Sequence, residues 1–178
     1  RAKTPTYFIW YTLGMSIAEF ERIKSVFDRL SLHPEYLEHE PVITSIDAAR
    51  TRGFELKQGI KALLFTDSKG DWVITDIPGD MKDDQKKIAL ACGWAKRDIR
   101  MATPEEVIEI TGCEIGSVPP FGHKTTIRIL VDPHVYENEA SAFNLGLRTH
   151  SVKIPTVEMH AVFADAGGSV CREVQFVH

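Results

Sequence analysis

The sequence predicts an α/β (α+β) fold in which helices flank a mixed, largely antiparallel central sheet. Helical hydrophobic patterns alternate with short runs rich in Val, Ile, Leu and Phe, which favours packed layers over a helix bundle or a β-sandwich. The chain has 178 residues, 43% of them hydrophobic, enough to bury a core without disulfides. Because no internal repeat or linker interrupts it, we expect residues 1–178 to form one domain, with a loose tail after about residue 165.

The first part of the chain predicts an extended segment followed by two helices. Residues 6–15 are rich in aromatic and apolar side chains, which is typical of a strand or a buried extended segment. Ser16 stands three residues before a glutamate, the spacing of a capping box, so a helix is predicted to begin there and to end near His33. An extended piece is expected over residues 36–44, and Ser45 then opens a short helix.

The middle of the chain predicts a β-hairpin and two helices. Apolar runs at 61–65 and 72–77 are separated by a polar, glycine-containing turn, so we expect them to pair antiparallel. A helix over residues 83–92 precedes a glycine that can end it. The next helix has stronger signals, because Thr103 is its N-cap, a proline takes its first position and Gly112 ends it.

Two strands and a last helix are expected in the remainder. Residues 127–131 are apolar and include β-branched side chains, which favours a strand, and a turn at Asp132-Pro133 follows. A second strand is predicted after Gly146, and a helix over residues 155–164.

Charge and cysteine content limit the classes of function. Lys and Arg number 21 against 25 acidic residues, a net charge of −4, which argues against a large phosphate footprint but permits contact with a few nucleotides. The three cysteines form no CxxC pair, so neither a disulfide framework nor a zinc ribbon is expected. No run approaches the roughly 20 apolar residues of a membrane span, and no secretory signal opens the chain. We expect a cytoplasmic protein without membrane contact.

The most unusual segment is the loop 112–123, in which three glycines and two prolines lie between a helix and a strand. Glycine permits positive φ and close approach of a ligand to the backbone, and Pro119-Pro120 stiffens the chain. The amides of Gly116, Ser117 and Val118 can then point in a fixed direction, which suits a carbonyl or a developing oxyanion. The same composition also fits an ordinary connection that needs a tight turn.

Four other side chains are functional candidates, each with a structural alternative. Lys61 opens an apolar strand, where the alternative is a solvated surface charge. His39 and His123 equally fit half-buried hydrogen-bonding residues. Cys113 is a candidate nucleophile, although a small buried thiol is the commoner role.

Common catalytic motifs are absent from the sequence. There is no HExxH, no pair of histidines at ligand spacing and no cysteine cluster, so we expect no metal. Neither GxSxG nor a phosphate-binding loop is present, which argues against the common serine hydrolases and nucleotidases. No cofactor is expected.

Three short segments in a fixed order carry a resemblance to a known family. They are His39-Glu-Pro-Val-Ile-Thr-Ser45, Gly59-Ile-Lys61-Ala-Leu-Leu-Phe65 and Gly116-Ser-Val-Pro-Pro120-Phe-Gly-His123. The first is similar to an HxPV-type motif, the second places Lys61 at the position of an essential lysine, and the third matches a GxxxP loop. Together they resemble the YbaK/prolyl-tRNA-synthetase-associated family, the fold shared by the insertion domain of bacterial prolyl-tRNA synthetases and by free-standing deacylases.

The resemblance implies hydrolysis of the ester between a mischarged amino acid and the 3′ end of a tRNA, with tRNA-Pro the expected substrate and a prolyl-tRNA synthetase a further partner. The amides from Gly116 to Val118, including Ser117, would stabilise the oxyanion, and Lys61 would hold a phosphate or the terminal ribose. The vicinal ribose hydroxyl, rather than a protein nucleophile or a metal, would help to activate water. The residues implied in substrate binding are His39, Pro119, Pro120, Phe121, Gly122, His123, Asn144 and Gly146.

Selectivity in such a site would come from pocket size, with alanine, serine, threonine and cysteine as the candidate amino acids. Two alternatives stay open. One is a non-catalytic module of the same fold that binds tRNA or a synthetase. The other is a small-molecule enzyme whose loop binds a phosphate or a carboxylate. It would place a helix after the loop, where residues 125–131 favour a strand.

Overall fold

A computed structural model of the protein describes residues 6–41, 50, 53–167 and 171–177, with the backbone alone for residues 6–16. Its helices are α1 (Thr6–Arg29), α2 (Gln85–Cys92), α3 (Pro104–Thr111) and α4 (Thr156–Asp165). Its strands are β1 (Glu35–Glu38), β2 (Ile60–Thr66), β3 (Trp72–Pro78), β4 (Arg100–Met101), β5 (Arg128–Val131), β6 (Ala140–Asn144), β7 (His150–Pro155) and β8 (Cys171–Glu173). The short helix predicted from Ser45 falls outside the described residues.

The strands form two sheets rather than one central sheet. Five strands pair in the order β4-β2-β3-β5-β8, and three pair in the order β1-β7-β6. Pairing is parallel between β3 and β5 and between β5 and β8, and antiparallel between the other neighbours. A parallel bridge between Gly59 and Ala142 connects the two sheets next to β2. The α+β class and the mixed, largely antiparallel pairing are thus confirmed.

The strand predicted over residues 6–15 is wrong. This segment is the first half of a continuous 24-residue helix, α1, and Ser16 lies in its interior instead of capping it. A short apolar run has the same composition in a buried strand and in a helix, so its periodicity alone does not decide between them. The second half of α1 buries Ile23, Val26 and Phe27 in the core.

The elements with strong local signals are confirmed. Strands β2 and β3 pair antiparallel along their whole length, and α3 has Thr103 as its N-cap, a capping box with Glu106 and Gly112 at φ 77°. Strand β6, which no sequence pattern predicts, pairs with β7. The predicted turn at Asp132-Pro133 is the start of a 3₁₀ helix, Pro133–Glu137.

Alternating residues of β2 and β3 face two separate hydrophobic clusters. Leu64 and Ile74 belong to the larger cluster, which includes residues of α1, β6, β7 and α4. Phe65 and Val73 face the smaller cluster, which includes residues of α2 and the C-terminal segment. Because strand side chains alternate between faces, the β2–β3 hairpin separates the two clusters.

The C-terminal segment is packed, in contrast to the loose tail expected after residue 165. Strand β8 extends the five-stranded sheet, and the side chain of Phe176 is fully buried. Fully buried Asp132 accepts hydrogen bonds from the amides of Phe176 (2.7 Å) and Val177 (3.0 Å) through Oδ2. Its Oδ1 accepts from Nδ1 of His134 at 2.5 Å. Among the described helices, none is long and apolar enough to cross a bilayer.

Replacing Asp132 should destabilise the fold. In Asp132→Ala the buried amides of Phe176 and Val177 lose their acceptor, so we expect the free energy of unfolding to fall by about 2–4 kcal/mol. Denaturant titration at neutral pH measures this. Asp165→Ala is the control, because Asp165 forms a solvent-exposed ion pair with Arg29 and its loss should change little. Equal stability of the two variants would contradict the role given to Asp132.

Candidate active site

The hairpin between β6 and β7 binds three consecutive carbonyls of the glycine- and proline-rich loop. Arg148 donates to the carbonyl of Ile115 from Nε (3.2 Å) and Nη2 (3.0 Å). The side-chain amide of Asn144 donates to the carbonyl of Gly116. The backbone amide of Gly146 donates to the carbonyl of Ser117 at 2.9 Å. Segment 144–148 therefore holds this part of the loop from one side.

This contact determines where the loop amides point. In a trans peptide the N–H lies opposite the C=O, and the three bound carbonyls belong to the peptide units that carry the amides of Gly116, Ser117 and Val118. These N–H groups are thus directed away from the hairpin. A φ of 84° at Gly116 makes the turn possible without the steric cost that a Cβ would bring.

One of the three amides that were expected to bind substrate already has an acceptor within the loop. The amide of Ser117 donates to the carbonyl of Glu114 at 3.0 Å, closing a turn inside the loop. Within the described part of the chain, the amides of Gly116 and Val118 make no such bond. The arrangement can therefore offer two backbone donors to a carbonyl oxygen.

His39 is connected to the same loop through two side chains. Its Nε2 lies 2.7 Å from Oγ of Ser151, and Ser151 Oγ donates to Oδ1 of Asn144 at 3.2 Å. The amide of His39 also donates to the carbonyl of Thr149 at 2.9 Å, which fixes the backbone beside β7. Ser151 and Arg148 are not apparent from the sequence, because no local pattern shows that this hairpin meets a loop some 30 residues earlier.

The second half of the loop packs into the protein core. Pro119 and Pro120 are buried, and Phe121 is 1% exposed in edge-on contact with Phe27 of α1. A Cβ on Gly122 would lie 2.8 Å from Ile23, so this glycine permits close packing against α1. The side chain of Phe121 is therefore a core residue, and contact of Phe121 with substrate stays a prediction.

His123 stabilises the loop instead of facing a ligand with Nε2. That nitrogen donates to the carbonyl of Pro119 at 2.7 Å. Burial lowers the pKa of His123 to about 4, against the opposing effect of this bond. The imidazole is therefore neutral at physiological pH, and its Nε2 proton is engaged by the backbone.

Among the described residues, Lys61 forms its side-chain hydrogen bond with a residue outside the loop. Its Nζ donates to the carbonyl of Met81 at 2.5 Å. Burial lowers the pKa of Lys61, while the nearby carboxylates of Asp83 and Asp80 oppose the shift. Lys61 and Asn144 each stand two residues beyond the bridge between the sheets, so both lie in the same direction from that junction.

A model of the aminoacyl-tRNA editing domain matches residues 39–161, more than half of the chain. The chain belongs to the aminoacyl-tRNA editing domain family. The multifunctional Ser/Thr-tRNA deacylase ProXp-y of Escherichia coli (strain K12) is 31% identical over 124 residues, covering 67% of this chain and 73% of the relative.

Other similar proteins are connected with prolyl-tRNA synthetase. The proline–tRNA ligase of Pelobacter propionicus is 31% identical over 86 residues, which cover 48% of this chain and 15% of the ligase. A crystal structure described as a candidate trans-editing enzyme for prolyl-tRNA synthetase has a TM-score of 0.74 at 25% identity and covers 90% of this chain and 97% of that one. The predicted family, fold and activity class, hydrolysis of aminoacyl-tRNA esters, are thus confirmed.

Cys113 does not have the properties of a nucleophile in this editing domain. The residue is fully buried, and burial raises the pKa of its thiol to about 12. It remains protonated at neutral pH and packs as a small apolar side chain. Among the described residues, no cluster of three or more His, Cys, Asp or Glu side chains could hold a metal ion.

A fully buried carboxyl group of the editing domain lies on β3. Asp76 is fully buried, and neither carboxylate oxygen has a hydrogen-bond partner among the described residues. Burial raises the pKa of Asp76 well above its usual value. Its charge would also oppose ionisation of nearby Tyr136 and Cys171. The folded protein therefore holds the proton of Asp76 to a higher pH than the unfolded chain does.

Protonation of Asp76 should make stability depend on pH. The unfolded chain releases this proton above a pH of about 4, whereas the folded protein keeps it, so stability falls as the pH rises. In Asp76→Asn this dependence is lost, so the stability of the variant relative to wild type should grow as the pH rises above about 4, by at most about 1.4 kcal/mol per unit.

Denaturant titrations at several pH values measure that difference. Asp71→Asn is the matched control, because the Asp71 side chain is 62% exposed and its stability relative to wild type should stay nearly constant. A constant difference for Asp76→Asn as well would mean that the carboxyl group is ionised in the folded state.

Proposed function

We propose that this editing domain hydrolyses the ester that links a small, non-cognate amino acid to the terminal adenosine of tRNA-Pro. The observation that carries the proposal is the orientation of the Gly116 and Val118 amides away from the hairpin. Preorganised backbone donors of this kind stabilise the oxyanion of a tetrahedral intermediate. The names of the similar proteins, a Ser/Thr-tRNA deacylase and a proline–tRNA ligase, support the choice of substrate.

In the proposed reaction a water molecule attacks the ester carbonyl carbon, and the carbonyl oxygen takes negative charge between the two amides. Collapse of the intermediate breaks the bond to the ribose oxygen, which leaves as a hydroxyl, and the amino acid departs. Cys113 is protonated, and His123 uses its Nε2 proton to bind the backbone. Their states support water as the nucleophile, with the vicinal ribose hydroxyl assisting it.

Lys61 is proposed to bind the terminal nucleotide. A lysine ammonium has three protons to donate, and one is directed at the carbonyl of Met81. The remaining two suit a phosphate or a ribose hydroxyl beside the sheet junction. Because such contacts are few, the net charge of −4 is compatible with binding restricted to the 3′ end of tRNA.

Selectivity is proposed to depend on side-chain size, with alanine, serine, threonine and cysteine as the substrates to compare. A synthetic site separates such side chains by only about 10- to 200-fold, so a second hydrolytic site is needed. We further propose that the domain acts in the cytoplasm, alongside or attached to a prolyl-tRNA synthetase.

Deacylation assays test this function. We expect tRNA-Pro charged with at least one of alanine, cysteine, serine or threonine to be hydrolysed, and prolyl-tRNA-Pro to be spared. Lys61→Ala should lower kcat/KM by about 100-fold if the charge holds the terminal nucleotide. Lys69→Ala is the matched control. Lys69 lies in the turn of the β2–β3 hairpin, at the end opposite Lys61, where its side chain is 69% exposed and forms an ion pair with Asp98.

Two outcomes would argue against the proposal. If no ester is hydrolysed on any tRNA, a non-catalytic module that binds tRNA or a synthetase becomes the better interpretation. If Lys61→Ala and Lys69→Ala both keep full activity, Lys61 has no part in substrate binding.

A further inference from the structure

We propose that His39, Ser151 and Asn144 are positioning residues that together set the orientation of the Gly116–Val118 amides. The inference rests on the proposed function for its catalytic consequence. It gives His39 and Asn144 a different role from the substrate contact that the family resemblance implies, and it adds Ser151, which no motif indicates.

His39, Ser151, Asn144 and the carbonyl of Gly116 form a chain of hydrogen bonds, which we call the relay. The direction of each bond follows from the last acceptor, the Gly116 carbonyl. The carbonyl of Gly116 only accepts, so Asn144 presents its NH₂ group to it and its Oδ1 to Ser151. The hydroxyl of Ser151 therefore donates to Asn144. Its oxygen is left to accept from Nε2 of His39, which must carry a proton. Nδ1 of His39 also lies 2.8 Å from the carbonyl of Glu40, which only accepts. The relay therefore requires the doubly protonated form of His39, with a proton on each ring nitrogen. All three donors thus point along the relay towards the loop.

The central bond of the relay, from Ser151 to Asn144, involves a buried hydroxyl that water cannot replace. Ser151 is fully buried on β7, opposite Asn144 in the β6–β7 register. Without this hydroxyl, Asn144 Oδ1 loses the donor that Ser151 supplies, which weakens the constraint on the amide that binds Gly116. The peptide unit between Gly116 and Ser117 would then be held less firmly against the hairpin.

A second buried serine in the same sheet provides a matched control. Ser141 lies on β6 and is 1% exposed. Its hydroxyl bonds to Oγ1 of Thr156 at 2.9 Å, at the start of α4. A serine-to-alanine change at either position removes one buried hydroxyl from this sheet, but only the change at Ser151 affects the relay.

Steady-state kinetics test the catalytic consequence. In Ser151→Ala we expect kcat to fall by about 10- to 100-fold with KM within about twofold, because misplaced amides weaken binding of the transition state more than of the substrate. Ser141→Ala should keep both constants within about twofold. His39→Gln, which retains a donor close to the position of Nε2, should keep more activity than His39→Ala.

Hydrogen–deuterium exchange tests the positioning itself and does not require activity. A peptide that covers residues 113–118 should exchange faster in Ser151→Ala than in wild type or in Ser141→Ala. Unchanged exchange, or an equal loss of kcat in both serine variants, would overturn the relay. If wild type hydrolyses no ester but Ser151→Ala still exchanges faster here, the proposed function fails and the relay stands.

Discussion

The candidate site depends on one constraint, the binding of three successive loop carbonyls by the β6–β7 hairpin. Free peptide units in a glycine-containing loop would sample many orientations, and the cost of ordering them would then fall on substrate binding. Here Asn144, Gly146 and Arg148 meet that cost during folding. The donors are consequently in place before a substrate arrives, which is the condition for electrostatic stabilisation of a transition state.

The loop is held from two directions that depend on different parts of the fold. Its first half is bound by polar groups of the hairpin, whereas its second half is fixed by apolar packing of Phe121 and Gly122 against α1. His123 connects the two by its bond to Pro119. The geometry of the amides is therefore sensitive both to the hydrogen bonds of the small sheet and to the packing of the larger core.

Local signals were sufficient for part of the fold. Thr103 and Gly112 define α3 because a cap and a left-handed glycine act within a few residues. Strand β6 was missed because Ala140–Asn144 is short, and its pairing with β7 is what makes it a strand. The 6–15 segment was assigned wrongly because composition does not fix periodicity.

Prediction of the site had a similar limit. The motif positions of Gly116 and Asn144 led to residues that are in contact, but a motif gives no side-chain direction. Phe121 stands within the same motif and is directed into the core. The contributions of Ser151 and Arg148 come from a hairpin that is distant in sequence, so they follow from the register of β7 and not from any pattern around them.

The packing of both ends of the chain affects how the domain can be isolated. The region shared with other editing domains spans residues 39–161, but Ile23 and Phe27 of α1 complete the larger core and Phe176 completes the smaller one. A recombinant fragment cut at the limits of sequence similarity would leave an apolar face open to water on either side of the β2–β3 hairpin. Such faces promote aggregation, so insolubility of that fragment would reflect its boundaries and not an unstable editing domain.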